Sequence, residues 1–207
     1  MRRLGGVLAA LVLLMGTAAA CSDGGAKGAS GRATTTTEVP VPIAFTVTSF
    51  DVETAAPPVA GAVEGARAGV EATMKRWLDE DVLPPLRSAQ PAGDLRPLFT
   101  AVTGEHVVTT ADRAAFVTEG LPPVTGLSAK LATLAVIGLA DPDGQIPIVT
   151  VHLELELQGT AEGTPLIVVH TGDLVLVPEA EGWKIDSYDI RATRDTPAGT
   201  TTTTARS

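Results

Sequence analysis

Hydrophobic positions fall into three regimes along this chain. An apolar run from Leu4 to Met15 opens it. Small and polar residues follow as far as Pro42. From Ile43 onward the apolar positions become periodic. Residues 43–52 set Phe45 and Val47 against Thr46 and Thr48, an alternation that predicts an extended segment. Residues 60–81 predict a helix. Val63, Ala66, Val70, Met74, Trp77 and Leu78 recur at three- and four-residue steps, while Glu64, Arg67, Glu71 and Lys75 take the other faces. Pro84-Pro85 is expected to stop it. Residues 94–100 predict a helical turn with Leu95, Leu98 and Phe99 inward. Thr110 is placed to cap a short helix over 111–119, and Gly120 to end it.

After Pro122-Pro123 the period drops to two. Strands are expected over 128–139, 146–158, 166–177 and 183–192. The second is the clearest. Val149, Val151, Leu153, Leu155 and Leu157 alternate with Thr150, His152, Glu154, Glu156 and Gln158, giving one buried and one polar face. Asp141-Pro142-Asp143-Gly144 and residues 159–164 have turn chemistry, and Gly172 is a candidate bulge. Helices first and a sheet meander afterwards predict an α+β domain, an amphipathic helix packed on a curved antiparallel sheet. The domain is expected over 43–195. Residues 21–42 predict a disordered Gly/Thr/Pro tether, and 196–207, with Thr200 to Thr204 unbroken, a disordered tail.

Composition narrows the setting. There are 15 Lys+Arg against 24 Asp+Glu, a formal charge of −9. That balance argues against nucleic acid, whose phosphates require a basic footprint. The single cysteine permits no internal disulfide, so stability rests on a packed core. Aromatic residues are only 3 % of the chain, which leaves that core to Val, Leu, Ile and Ala.

The cysteine also carries the main clue to location. Arg2 and Arg3, the apolar run, and Gly16-Thr17-Ala18-Ala19-Ala20-Cys21 form a basic start, a short apolar core and a small-residue cut site. The run is too short to span a bilayer, which takes about 20 apolar residues. A cysteine directly after the small residues resembles the lipobox of bacterial lipoproteins. The resemblance implies cleavage of residues 1–20, a lipid anchor on Cys21 and an extracytoplasmic position at the cell membrane. It departs from the usual pattern in having Ala18 where leucine is common. Ala18-Ala19-Ala20 also fits an ordinary export cleavage site, with plain secretion as the alternative. Cleavage before Cys21 removes two arginines and no acid, taking the formal charge from −9 to −11.

The helix-then-meander order, closing in Glu181-Gly182-Trp183-Lys184-Ile185-Asp186-Ser187-Tyr188, resembles the nuclear transport factor 2-like (cystatin-like) fold over about residues 60–191. That resemblance implies a cone with a pocket between helix and sheet. Its members include enzymes, ligand binders and dimerising modules, so the fold does not name a function. Met74, Trp77, Phe99 and Phe116 are the candidate pocket lining; the same stripe also reads as plain core.

One constellation offers chemistry. If the 159–164 turn centres near Ala161, His152 and His170 stand opposite each other, with Glu154 two residues along on the same face. Cross-strand Cβ atoms then lie within about 5.5 Å. Two histidines and a carboxylate are a zinc or proton-sharing set. The same alternation also fits an ordinary solvated sheet face, and a one-residue slip of register dissolves the pair. No Gly-x-Ser-x-Gly elbow, phosphate-cradling glycine loop or cysteine cluster is present in the sequence. No cofactor is expected. The reading is a non-enzymatic binding or accessory module of the cell envelope, held to the membrane by its anchor and taking a protein partner or an apolar ligand. The alternatives are an enzyme or metal site at His152, Glu154 and His170, and a passive homodimerising subunit.

Overall fold

The computed structural model describes residues 42–54, 56–196 and 199–207. Six strands form a single sheet in the order β1-β2-β3-β4-β5-β6: β1 Thr46–Thr54, β2 Val124–Ala140, β3 Ile148–Ala161, β4 Thr164–Glu179, β5 Gly182–Thr196 and β6 Gly199–Arg206. Every neighbouring pair is antiparallel except β1 and β2, which run parallel. A parallel pair requires a crossover. The helical segments between them supply it: α1 Ala62–Trp77, a π-helical turn Leu78–Val82, α2 Leu83–Ser88, a 3-10 turn Arg96–Leu98, α3 Ala101–Thr109 and α4 Arg113–Phe116. The result is the expected α+β arrangement of a helix layer on a mostly antiparallel sheet.

Helix α1 buries the stripe its spacing announces. Ala66, Val70, Met74 and Trp77 are buried, and Leu78 continues the stripe. Gly69 is needed for the docking: a Cβ there would lie 1.9 Å from Cδ1 of Trp183. Facing it, Val149, Val151, Leu153, Leu155 and Leu157 of β3 are all buried, as alternation required.

Three expectations are corrected. Pro84-Pro85 does not end the helix. Leu83 N–H bonds back five residues to Leu78 O, a π turn, and the prolines fall in the first turn of α2, where no N–H is needed. The short helix expected over 111–119 shrinks to α4, Arg113–Phe116, and Thr110 does not cap it: Thr110 ends α3, a helix the sequence did not announce, and its hydroxyl accepts from Asp112 N at 3.3 Å.

The third correction is the tail. Residues 199–206 are strand β6, paired with β5 from Asp189↔Arg206 to Thr196↔Gly199. Threonine is β-branched and favours a pleated, half-exposed edge. Ala205 is buried and Arg206 pairs with Asp189. Deleting residues 197–207 should therefore cost roughly 2 kcal/mol and several degrees of Tm. A truncated protein melting with the full chain would show that β6 contributes nothing to stability.

Candidate functional site

The proposed histidine pair does not form. The β3–β4 hairpin turns at Glu162 and Gly163, both at positive φ, with Ala161↔Thr164 as the closing pair. His152 therefore faces Asp173, and His170 faces Leu155. The offset is odd, so it also separates the faces. His152 and Glu154 are exposed on the outer face, where His152 Nδ1 lies 2.8 Å from Asp173 Oδ1. His170 is fully buried. Among the described residues no cluster of three His, Cys, Asp or Glu side chains is placed to hold a metal.

The candidate pocket residues are packed against one another and their neighbours. Trp77 is 1 % exposed, Phe116 1 % and Met74 0 %. Phe99 and Phe116 meet edge to face at 5.1 Å, and Tyr188 packs on both. Trp77 meets His170 edge-on at 5.4 Å and stacks with Phe45 at 6.2 Å. These contacts place aromatic rings in the core between helix and sheet. Cys21 lies outside the described residues.

What the sequence did not announce is a polar collar around residues 112–119. This stretch has little regular structure of its own, so its carbonyls need donors from elsewhere. Trp77 Nε1 donates to Phe116 O at 2.8 Å. Arg194 donates to Val117 O at 2.7 Å and to Ala114 O at 3.3 Å. Tyr188 Oη donates to Asp112 Oδ2 at 2.8 Å. Burial and that carboxylate together push the Tyr188 hydroxyl well above the ordinary tyrosine range. His170 Nδ1 lies 3.0 Å from Ala115 O. A carbonyl only accepts, so Nδ1 carries the proton and Nε2 keeps a lone pair with no partner. Burial drives the His170 pKa down from 6.5 to about 4; the Ala115 bond opposes this and the Arg194 charge adds to it.

A second buried group sits on the π turn. Asp81 is 1 % exposed, and neither carboxylate oxygen has a hydrogen-bond partner. Burial raises its pKa from 3.8 to about 7, helped by the charge of Glu80 and opposed by Arg113, by Arg76 and, least, by the nearby Gly93 N–H, whose hydrogen bond goes to Glu80 O instead. The sequence held a signal for it. Asp81 stands four residues after Trp77 and three after Leu78, on the same stripe, so the apolar face continues into a carboxylate.

Beside Asp81, the 89–95 loop is pinned to two acceptors. Gly93 N donates to Glu80 O at 3.1 Å. That carbonyl is vacant because Pro84, four residues on, has no N–H to offer it. Ala92 N donates to Glu119 Oε1 at 2.8 Å, and Arg113 grips the same carboxylate with two bonds, at 2.6 and 3.1 Å. Arg113 accordingly holds the Glu119 carboxyl below its usual range. A cleft of about 490 Å³ opens between the loop and Glu119–Pro122, lined also by Pro85.

The outer sheet face carries one apolar corner. Ile137 and Leu139 of β2 are each 44 % exposed. Ile148 pairs with Leu139, and Val175 and Val177 lie half-buried on the same face of β4. On β1, exposed Asp51 and Glu53 pair with Ile137 and Leu139 and form an acidic rim. Comparisons of the chain with protein-family models, curated proteins and solved structures found no match.

Proposed function

We propose that this chain is a lipid-anchored module on the outer side of a bacterial membrane, non-enzymatic, that recognises a protein partner through the apolar corner of its outer sheet face. The observation that carries this reading is the burial of the candidate pocket lining in the core. Met74, Trp77, Phe99 and Phe116 occupy the space where a nuclear transport factor 2-like domain, the fold we infer from the helix layer and the closing Gly182-Trp183-Lys184-Ile185 hairpin, would hold a ligand. With that space closed, recognition falls to the surface. An exposed apolar group rimmed by charge is the kind of surface that marks protein–protein contact. The acidic rim and the net charge favour a partner with a basic margin over a second copy of this chain, whose own rim would be repelled.

Two measurements test the reading. Mass spectrometry of the mature N-terminus should show diacylglycerol on Cys21, and Cys21→Ala should release the protein from membranes. An unmodified Cys21 in soluble protein would replace the anchor with plain secretion. Photocrosslinkers at positions 137 and 139 should give one specific product in the host, absent with the probe at exposed Thr201 of β6. An Ile137→Ser, Leu139→Ser variant should lose that product yet change stability by less than about 1 kcal/mol, because both side chains already face water. Equal yields from position 201 would remove the outer face as the recognition surface.

A further inference from the structure

Asp81 is anomalous for a folded interior. Buried carboxylates are almost always hydrogen-bonded or paired, and an unpaired buried charge costs several kcal/mol. The chain tolerates it at a π turn, a local distortion often found where a helix serves more than packing. The charged groups acting on it come from each neighbouring element. Arg76 reaches it from α1, Glu80 from the π turn and Arg113 from α4; Arg76 is paired with Glu80 and Arg113 with Glu119. Arg87 of α2 is exposed, and Asp94 of the loop is exposed and bonded to Arg96.

We propose that Asp81 is a proton-operated latch on the 89–95 loop: with its carboxyl neutral the loop lies closed, and loss of the proton releases the loop and reshapes the cleft it borders. The geometry gives the reason. A Cβ on Gly93 would stand 3.2 Å from Asp81 Oδ1, so the Gly93 backbone lies directly against the carboxyl. The Gly93 N–H beside the carboxyl favours its ionised form only slightly and is committed to Glu80 O, so an ionised Asp81 needs water or a cation. Water reaches it by displacing the loop. The cation at hand is Arg113, and turning it toward Asp81 takes it from Glu119, the acceptor that pins Ala92. Either route loosens the loop, whose centre is anchored by Ala92 N to Glu119 and Gly93 N to Glu80 O. Ala89, Gln90 and Pro91 form one wall of the 490 Å³ cleft, so releasing the loop changes what that cleft admits.

Amide hydrogen exchange on the full protein tests this, after correction for the intrinsic pH dependence of exchange. With a midpoint near pH 7, the ionised fraction rises from about one tenth at pH 6 to about nine tenths at pH 8, so protection at Ala92 and Gly93 should fall roughly tenfold. Amides of Val151 and Leu153 in β3 should not follow. In Asp81→Asn the loop amides should stay level across the range. Glu119→Gln should loosen Ala92 at every pH. If Asp81→Asn does not fold, the wild type still decides: the carboxyl ¹³C titration of Asp81 and the loop opening must share one midpoint. Level loop protection in the wild type, an equal fall in Asp81→Asn, an equal fall in β3, or two separate midpoints would each overturn the latch.

Discussion

Replacing Asp81 with asparagine should turn a protein whose stability is nearly level from pH 4 to 6.5 into one that weakens steadily in acid. Two buried groups with opposite linkage produce the level curve. The Asp81 carboxyl titrates near 3.8 in the unfolded chain and at about 7 in the fold. Between those values the folded protein holds a proton that unfolding releases, so rising pH favours unfolding. Its effect is a loss of stability from about pH 4 to 7, of roughly 2–4 kcal/mol. His170 acts the other way. It titrates near 6.5 when unfolded and at about 4 when buried. Between those values unfolding takes up a proton, so falling pH favours unfolding, by roughly 2–3 kcal/mol across the window. The two slopes oppose each other from about pH 4 to 6.5. Glu119, held below its usual range by Arg113, adds stability that is full above its ordinary value of 4.5 and is lost as the pH falls from there, at the acid end of this window.

Asparagine removes one slope and leaves the other. Urea unfolding at pH 4.5, 6.0 and 8.0 should show the variant gaining stability with pH up to about 6.5 and then levelling. The wild type should change little up to that point and weaken slightly toward pH 7. A constant offset between the proteins reflects the amide's own hydrogen bonds and decides nothing; the slopes decide. Parallel curves would mean that Asp81 is not protonated in the fold. His170→Asn, which keeps a donor for Ala115 O, should give the mirror image, a protein that weakens as the pH rises from 4 to 7.

These two groups also mark where sequence stops being legible. The helix stripe and the alternation of β3 could be read because each has one apolar face. Strand β4 is different. Leu166, Val168, Leu174 and Leu176 lie on one face, and Ile167, Val169, Val175 and Val177 on the other. With apolar residues on both sides, alternation does not say which way His170 points. Only the turn settles it, and the Glu162-Gly163 turn gives a register offset by an odd number from one centred on Ala161. That shift buried His170 and dissolved the zinc-like set. The π turn was hidden for a related reason. Pro84-Pro85 is a sound stop signal after an ordinary turn, but a π turn lets the chain restart a helix with the prolines at its beginning. Strand β6 was missed because a threonine run has the composition of a spacer and the propensity of a strand. The collar of Trp77, His170, Tyr188 and Arg194 was out of reach because it joins residues 39 to 80 positions apart.

The largest single-residue loss outside the core should come from Gly172→Ala. The sequence offered Gly172 as a bulge, yet β4 continues through it, paired with Leu153 on one side and Ile190 on the other. The bulge lies on β5 at Asp186, where the register steps from Val175↔Ser187 to Leu176↔Ile185. Gly172 serves close approach instead. A Cβ there would lie 2.1 Å from Asp189 O and 2.7 Å from the Ile190 Cα, at a φ of 151°. Both obstacles are backbone, so no side-chain rotation relieves them. The strands must part, breaking ladder hydrogen bonds beside buried Leu174 and Ile190. We expect a cost of at least about 4 kcal/mol, a large share of the 5–15 kcal/mol that typically separates folded from unfolded. Gly182→Ala is the matched control. Its φ of 118° carries similar backbone strain, but nothing lies within 4 Å of the added methyl, so the cost should stay near 1–3 kcal/mol. Urea unfolding of both variants separates strain from contact: equal losses would mean that the approach of β5 to Gly172 is not what the glycine is for.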